Sequence, residues 1–381
     1  MTRPVEELEK GKWPSYVTEW KKAGYTGLVE IYNKALEDKK THFKHGGMVG
    51  YPGYDAGVIG RLSDMPEILG SSHVFRMLEP AGWFYKTESL RKVVDVWTKY
   101  GNGLINFHGA TGSLQLVGIE TENIEPAFEE LAKLHYDFGG SGGDVRTLAA
   151  CGGPAICEYS NIDTLDLYQA LTMRFIEDIH RPRFPYKWKI KIPGCPNDCV
   201  AATARSDFAI IGNFRDAIKI DQNILKEYPE EKILKVVNKC PTSCMSYENE
   251  KLDIDMGNCT RCMYCINEFS KALRPGDDKG ATILIGARAR GRIGAFLGWT
   301  LIPFIKVEAP YTRLIEIIVG IQDWWDEIGN PKERVGEAIY RIGFGKFLFE
   351  VGKELGIDPV PQMITRPRAN PFWFYWPGEV E

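Results

Sequence analysis

Nine cysteines fall at positions 151, 157, 195, 199, 240, 244, 259, 262 and 265, and their spacing limits this chain more than any other feature. The first four form two close pairs, Cys151-Gly-Gly-Pro-Ala-Ile-Cys157 and Cys195-Pro-Asn-Asp-Cys199. Soft thiolates select iron–sulfur clusters over hard cations, and four of them can hold a 4Fe-4S cube. The glycines and prolines inside each pair let the backbone curl so that neighbouring sulfurs reach one site. Clustered spacing of this kind in a reducing compartment points to metal sites rather than disulfides.

A second block follows, Lys239-Cys240-Pro-Thr-Ser-Cys244 and then Cys259-Thr-Arg-Cys262-Met-Tyr-Cys265. C-x2-C-x2-C with a remote Cys-Pro is the pattern of a bacterial ferredoxin-type 4Fe-4S site. Cys240 is assigned as the fourth ligand because proline follows it, which leaves Cys244 as the spare thiol. The competing reading is a zinc ribbon using C-x3-C and C-x2-C. It leaves Cys265 unexplained.

At 381 residues, 44% hydrophobic and 26% charged, the chain is expected to be globular, with two or three domains. A net charge of −4 without a basic-aromatic surface pattern argues against nucleic acid. The longest nearly apolar run, Ile293 to Ile305, is 13 residues, too short to span a bilayer. The first residues contain no apolar h-region, so the expected location is the cytoplasm. Charge is nonetheless uneven: seven Lys or Arg lie between Thr172 and Arg205 against Glu177, Asp178 and Asp198. Residues 186–192 alternate Tyr, Lys, Trp, Lys, Ile, Lys, Ile, which as a strand places Lys187, Lys189 and Lys191 on one face. A solvated strand face is the ordinary reading of such a ladder. Its end, four residues before Cys195, favours an anion lying there.

Periodicity predicts a helix within 5–38, a glycine-rich loop over 41–61, and strands and helices alternating over 73–148 as a small α+β layer. Within it, His108-Gly-Ala-Thr-Gly112 reads as a tight turn whose amides and Thr111 hydroxyl suit carboxylates, or as a plain turn. Helices are expected at 162–180, 222–238, 311–329 and 333–340, with a strand resuming at 281–286 beyond the second cysteine block. That block therefore reads as an insertion in a larger domain. The tail, with Phe372-Trp-Phe-Tyr-Trp376, is expected to pack on a partner subunit, since exposed it would invite aggregation.

C-x5-C followed by C-x3-C resembles the cluster-binding half of sirohaem-dependent sulfite and nitrite reductases. With the ferredoxin block, Thr41-His-Phe-Lys-His-Gly-Gly47, the 108–112 turn and Lys187–Cys199, the chain is similar to the dissimilatory sulfite reductase alpha-subunit family. The resemblance covers residues 41–276 most strongly. It implies an α+β fold of sirohaem sulfite reductase-like half-domains with an inserted ferredoxin module. The corresponding division is 1–72, an N-terminal helical and glycine-rich segment; 73–148, a ferredoxin-like half-domain; 149–238 with 277–330, the sirohaem and cluster domain; 239–276, the inserted module; and 331–381, C-terminal helices and tail. It also implies six-electron reduction of sulfite toward sulfide or a carrier-bound trisulfide. Cys151, Cys157, Cys195 and Cys199 would hold the cube, with Cys199 bridging to sirohaem, or to an iron-free sirohydrochlorin if this subunit's macrocycle is silent. Cys240, Cys259, Cys262 and Cys265 would hold a second 4Fe-4S cluster. Arg76, Arg146, Lys187, Lys189 and Lys191 would face the oxyanion, and Arg61, Thr111 and Arg205 the macrocycle carboxylates. The implied partners are a beta subunit in an α2β2 assembly, a small sulfur-carrier protein and an electron-donor complex. A single-chain anaerobic sulfite or nitrite reductase, and a non-catalytic electron-transfer subunit, are the alternatives.

Overall fold

The computed structural model describes residues 21, 58–60, 73–109, 113–119, 123–140, 143–180, 183–289 and 294–357. Apart from Lys21, the helix expected within 5–38 lies outside the described residues, as do most of the 41–61 loop, residues 110–112 of the tight turn and the aromatic tail.

The first layer contains β1 (Val58–Gly60), β2 (His73–Leu78), α1 (Thr87–Tyr100), β3 (Gly101–His108), β4 (Ser113–Ile119) and α2 (Ile124–Lys133). Its strands form an antiparallel sheet in the order β1-β2-β4-β3. α1 turns Val93, Val96 and Trp97 inward, at the spacing that keeps three side chains on one helical face. They meet Phe75, Met77, Leu114 and Leu116 of the sheet, with Leu131 of α2, in one core. Each such side chain contributes roughly 1.5–3 kcal/mol by leaving water. The Trp97 indole N–H donates to the Val117 carbonyl at 3.1 Å, so burying this large ring strands no donor.

The second layer begins with β5 (Ala149–Ala150), α3 (Thr164–Arg174), α4 (Ile176–His180), β6 (Ile190–Ile192), α5 (Ala202–Arg205) and β7 (Phe208–Phe214). α3 starts where the Asp163 carboxylate accepts from the Leu165 and Asp166 amides. The single helix expected at 162–180 is two, because Phe175 leaves helical geometry and is fully buried. β8 (Lys219–Ile220), α6 (Gln222–Leu225), α7 (Glu230–Asn238), β9 (Met245–Glu248), β10 (Lys251–Ile254), α8 (Tyr264–Glu268) and β11 (Leu273–Arg274) form a satellite. The helix expected at 222–238 is likewise split, by Pro229, which is extended and restricts the residue before it. β12 (Lys279–Ile285), β13 (Trp299–Ile305), α9 (Thr312–Ile328), α10 (Val335–Ile342) and α11 (Phe344–Phe347) follow, and a short π-helical turn, Leu348–Gly352, continues from α11.

The five-stranded sheet runs β13-β12-β7-β6-β5, antiparallel among β13, β12 and β7 and parallel from β7 to β5. Lys279 sits opposite Phe214, so the chain leaves this sheet at β7, builds the satellite, and returns beside its point of departure. Ile190, Ile192, Phe208, Ile210, Ile283 and Ile285 point to the face covered by α3 and α9, where Trp325 stacks on Phe184 and meets Trp188 at a tilt. Period-two alternation then sends Lys189, Lys191, Ala209, Ile211 and Leu284 to the other face. That second face is where the cysteines gather.

Candidate functional site

The loop from Cys151 begins at the end of β5 and the loop to Cys195 at the end of β6, two parallel neighbours, so both reach the same sheet edge. The Cys151 amide donates to the Ile192 carbonyl at 3.2 Å, and the Gly194 amide donates to the Cys151 sulfur at 3.1 Å. Gly153 takes φ +48°, the left-handed region, and a Cβ there would lie 2.0 Å from the Thr164 hydroxyl. Asp198 organises the second loop: its carboxylate accepts from the Ala202 amide at 2.7 Å and the Thr203 amide at 2.8 Å, with Asp198 and Ala201 at positive φ. Burial pushes the Cys195 thiol up to about 11, and Cys157, Cys199 and Cys151 add to the effect. Cys199 is also raised, by burial and then by Cys151 and Cys157. Two thiols whose ionisation burial and their neighbours disfavour suit a cationic iron–sulfur core, which stabilises the thiolate form.

Beside them Val200, Ala202, Ala209, Ile211 and Leu284 form an apolar floor, on which Trp83 and Cys151 pack. The Trp83 indole nitrogen is buried there without a hydrogen-bond partner among the described residues. An apolar floor at the thiol edge, on the sheet face to which Lys189 and Lys191 also point, fits a carboxylate-fringed macrocycle.

The cations centre on Lys187. Burial holds it well below the ordinary lysine value, followed by the charges of Arg334 and Arg146, with Arg76 adding and Asp207 opposing. Lys189 is lowered in the same way by burial, then by Lys187, Arg334 and Arg146. Four of the five residues expected around an oxyanion, Arg76, Arg146, Lys187 and Lys189, are thus drawn into one electrostatic neighbourhood. Lys191 stands apart. It is only 2% exposed, its Nζ donates to the Val200 carbonyl, and it is pushed down to about 8 by burial and then Arg205. The ladder expected on one strand face is therefore two pieces, one beside the arginines and one anchoring the Cys199 loop. Strand β6 is also shorter than expected, because the Asp207 carboxylate takes the Lys189 amide at 2.9 Å.

Arg334 escaped sequence reasoning altogether. Its guanidinium donates to both Asp207 oxygens, at 2.7 and 2.6 Å, from 127 residues away. Arg288 and Glu337 pair alongside. No local spacing announces such partners; Asp198, inside the C-x3-C pair, was at least recognisable as a side chain prone to turn formation. Arg61 and Thr111 lie outside the described residues. Arg205 ends α5, within electrostatic reach of Lys191.

The remaining five cysteines line one small pocket in the satellite. Cys265 is pushed up to about 12 by burial, then by Cys259 and Cys262, with Cys240 also contributing. Cys240 and Cys244 sulfurs are 3.5 Å apart. Burial alone would raise Cys240, but the Thr242 and Cys244 amides outweigh it and hold that thiol low, whereas burial takes Cys244 up to about 11. Among the described residues no group of three or more His, Cys, Asp or Glu is arranged to hold a single metal ion. A cube spreads its four thiolates over separate irons.

The model of the nitrite and sulphite reductase 4Fe-4S domain matches residues 141–358, and that of the nitrite/sulfite reductase ferredoxin-like half domain matches residues 70–134. The chain is 39% identical to the alpha subunit of dissimilatory-type sulfite reductase from Nitratidesulfovibrio vulgaris over 419 aligned residues, covering 100% of this chain and 95% of the relative. Its counterpart from Allochromatium vinosum is 40% identical, over 97% of this chain and 93% of the relative. The beta subunit from Archaeoglobus fulgidus is 24% identical over 84% of this chain and 87% of its own length. The crystal structure of dissimilatory sulfite reductase I superposes with a TM-score of 0.78 at 41% identity, covering 100% of this chain and 96% of that one. The α+β fold is that of this family, whose iron–sulfur and sirohaem cofactors the thiol sets and the cation-flanked floor fit. The chain belongs to the nitrite and sulphite reductase family, among the alpha subunits of dissimilatory-type sulfite reductases, oxidoreductases that act on sulfite.

Proposed function

We propose that this chain binds sulfite at the Arg76, Arg146, Lys187 and Lys189 cluster and supports its six-electron reduction toward sulfide or a carrier-bound sulfur. The observation that carries the reading is a sheet face that bears both the apolar floor on which Cys151 packs and Lys189, a member of a crowded cation set. Sirohaem coupled to a 4Fe-4S cube supplies the electrons and the open iron position when bound. The protein's own part is electrostatic and protonic. The guanidiniums orient an oxyanion through charge-assisted hydrogen bonds. Burial and the neighbouring guanidiniums disfavour the charged forms of Lys187 and Lys189, an arriving oxyanion favours them, and their Nζ groups are the proton donors as oxygen departs as water. Lys191 and Asp198 hold the loop that presents Cys199, which would ligate the cofactors, and Arg205 would meet macrocycle carboxylates.

Cys240, Cys259, Cys262 and Cys265 are assigned to a second 4Fe-4S cluster, Cys240 rather than Cys244 because proline follows it in the ferredoxin pattern. The satellite, 239–276 with its flanks, is then an electron-entry module. The partners that go with this reading are a beta subunit in an α2β2 assembly, a small sulfur-carrier protein and a donor complex in the cytoplasm. Among the described residues no helix is long and apolar enough to cross a membrane.

The test is purification with and without the beta subunit, followed by iron, labile sulfide and sirohaem analysis and by sulfite and nitrite turnover with reduced viologen. About eight cluster irons per chain, four for each four-cysteine set, and sulfite turnover that needs the beta subunit are expected. Stoichiometric zinc without visible absorbance would end the cluster assignment.

A further inference from the structure

We infer that Asn197 and Asn267 form a clasp that sets the electron-transfer contact between the two cysteine centres. Asn197 lies inside the C-x3-C pair, two residues from both Cys195 and Cys199, and Asn267 lies two residues beyond Cys265 on α8. Their side-chain amides pair reciprocally: Asn197 Nδ2 donates to Asn267 Oδ1 at 3.0 Å, and Asn267 Nδ2 donates to Asn197 Oδ1 at 2.8 Å. Two complementary bonds fix both distance and rotation, which a single bond does not. Beneath the pair, Cys195 and Cys265 share one apolar cluster with Met263, Ile266, Phe214 and Ile218. A second tie joins the other loop of the first centre to the satellite, where Arg274 meets Glu158, the residue after Cys157, at 3.0 Å.

Asn197 and Asn267 are both exposed, so water competes for every hydrogen bond they make and the pair adds little to folding. What it does supply is continuity. From Cys265 the path runs through Ile266 and Asn267, across the paired amides, and through Asn197 and Pro196 to Cys195. Electron tunnelling decays less steeply along bonds and hydrogen bonds than across gaps, so this bridge shortens the effective separation. The inference rests on the reading that both cysteine sets carry 4Fe-4S clusters. In the step concerned the satellite cluster gives up one electron and is oxidised, and the cube accepts it and is reduced. No bond forms or breaks, and no proton moves. The initial reductant is a low-potential one-electron donor.

The experiment uses the assembled enzyme carrying Asn197→Ala, Asn267→Ala or both, rapidly mixed with reduced methyl viologen and freeze-quenched for electron paramagnetic resonance. Arrival of the electron at the cube should slow about tenfold in each single variant. The double variant should slow no further, because either change removes the whole pair. Spin coupling between the reduced clusters should weaken, and amide hydrogen exchange over 264–268 should quicken, while iron content stays parental. Parental transfer rates and spin coupling in both single variants would overturn the clasp. Should Asn267→Ala lose iron, Asn267→Asp keeps the size and one acceptor while removing the donor; an intermediate rate supports the clasp and a parental rate overturns it. A parent enzyme with only one cluster signal would instead overturn the two-cluster reading on which the clasp depends.

Discussion

The two cysteine centres of this chain use the same donor atoms in surroundings that share almost nothing. The first sits at the ends of β5 and β6 of a five-stranded sheet, and Lys189, which shares one electrostatic neighbourhood with Lys187, Arg146 and Arg334, directly precedes β6. The second is wrapped by two-stranded pieces and short helices, with Arg261 as the cation lining its pocket. A cluster alone is an electron store; crowded cations on one side of it make a place for an oxyanion. On the proposed reading the difference separates a centre for chemistry from a centre for electron entry, and the contrast can be broken at several points.

The largest effects belong to the thiols. Cys199→Ser should abolish sulfite turnover and the macrocycle spectrum, while Cys240→Ser should remove only the second cluster's signal. Cys244→Ser should leave both spectra intact, as read by visible absorption and paramagnetic resonance. The opposite result for Cys240 and Cys244 would reassign the fourth ligand.

Asp207 comes next. It is fully buried and is shared by the Arg334 guanidinium and the Lys189 amide. Removing one member of a buried pair strands the other charge, at a cost of about 3–5 kcal/mol. Asp207→Ala should therefore lower the unfolding midpoint sharply, whereas breaking the exposed Lys219–Asp277 pair of the satellite should change stability by less than about 1 kcal/mol.

Smaller again are the lysines. A charge-assisted hydrogen bond contributes about 1.5–3 kcal/mol, so Lys187→Gln and Lys189→Gln should cut sulfite turnover roughly ten- to a hundredfold with cofactor content unchanged. Lys191→Gln should differ, loosening the Cys199 loop through the lost bond to Val200 and so reducing cofactor content as well. Three identical outcomes would restore a uniform ladder.

How much of this was legible beforehand follows the range of the interactions. The cysteine spacings and the alternation at 186–192 are local, and the chain does turn Trp188, Ile190 and Ile192 inward with the lysines opposite. The return of the chain at Lys279 beside Phe214 was readable from a strand resuming after the second cysteine block. Phe175 and Pro229 broke helices that periodicity alone had run together. The division of the ladder was not readable, because Lys191 is diverted by Val200 and the strand is cut short by Asp207, neither of which periodicity reports. Arg334 reaches Asp207 across 127 residues, a pairing only the folded sheet creates.

The smallest effect sharpens the comparison through protons. Glu79 follows β2, the strand carrying Arg76, and is 6% exposed. Burial pushes its carboxyl up to about 8, partly offset by a hydrogen bond with Tyr85. Its backbone carbonyl accepts from the Tyr168 hydroxyl at 2.6 Å, which fixes the position. In the satellite, Asp255 is exposed and held below the ordinary carboxylate range by the Asn258 side chain and the Gly257 amide. The two signs are opposite. A raised carboxyl stays protonated in the folded chain while the unfolded chain ionises, so its stabilising contribution is full below about pH 4.5 and is lost as pH rises toward 8. A lowered carboxyl contributes above its unfolded value and loses that contribution as pH falls. Between pH 6 and 7 the Glu79 contribution should fall by about 1.4 kcal/mol, and Glu79→Gln should flatten that part of the profile. Unfolding midpoints of parent and variant at pH 5, 6, 7 and 8 read this directly, and parallel curves would mean that Glu79 ionises in the folded chain much as it does in water.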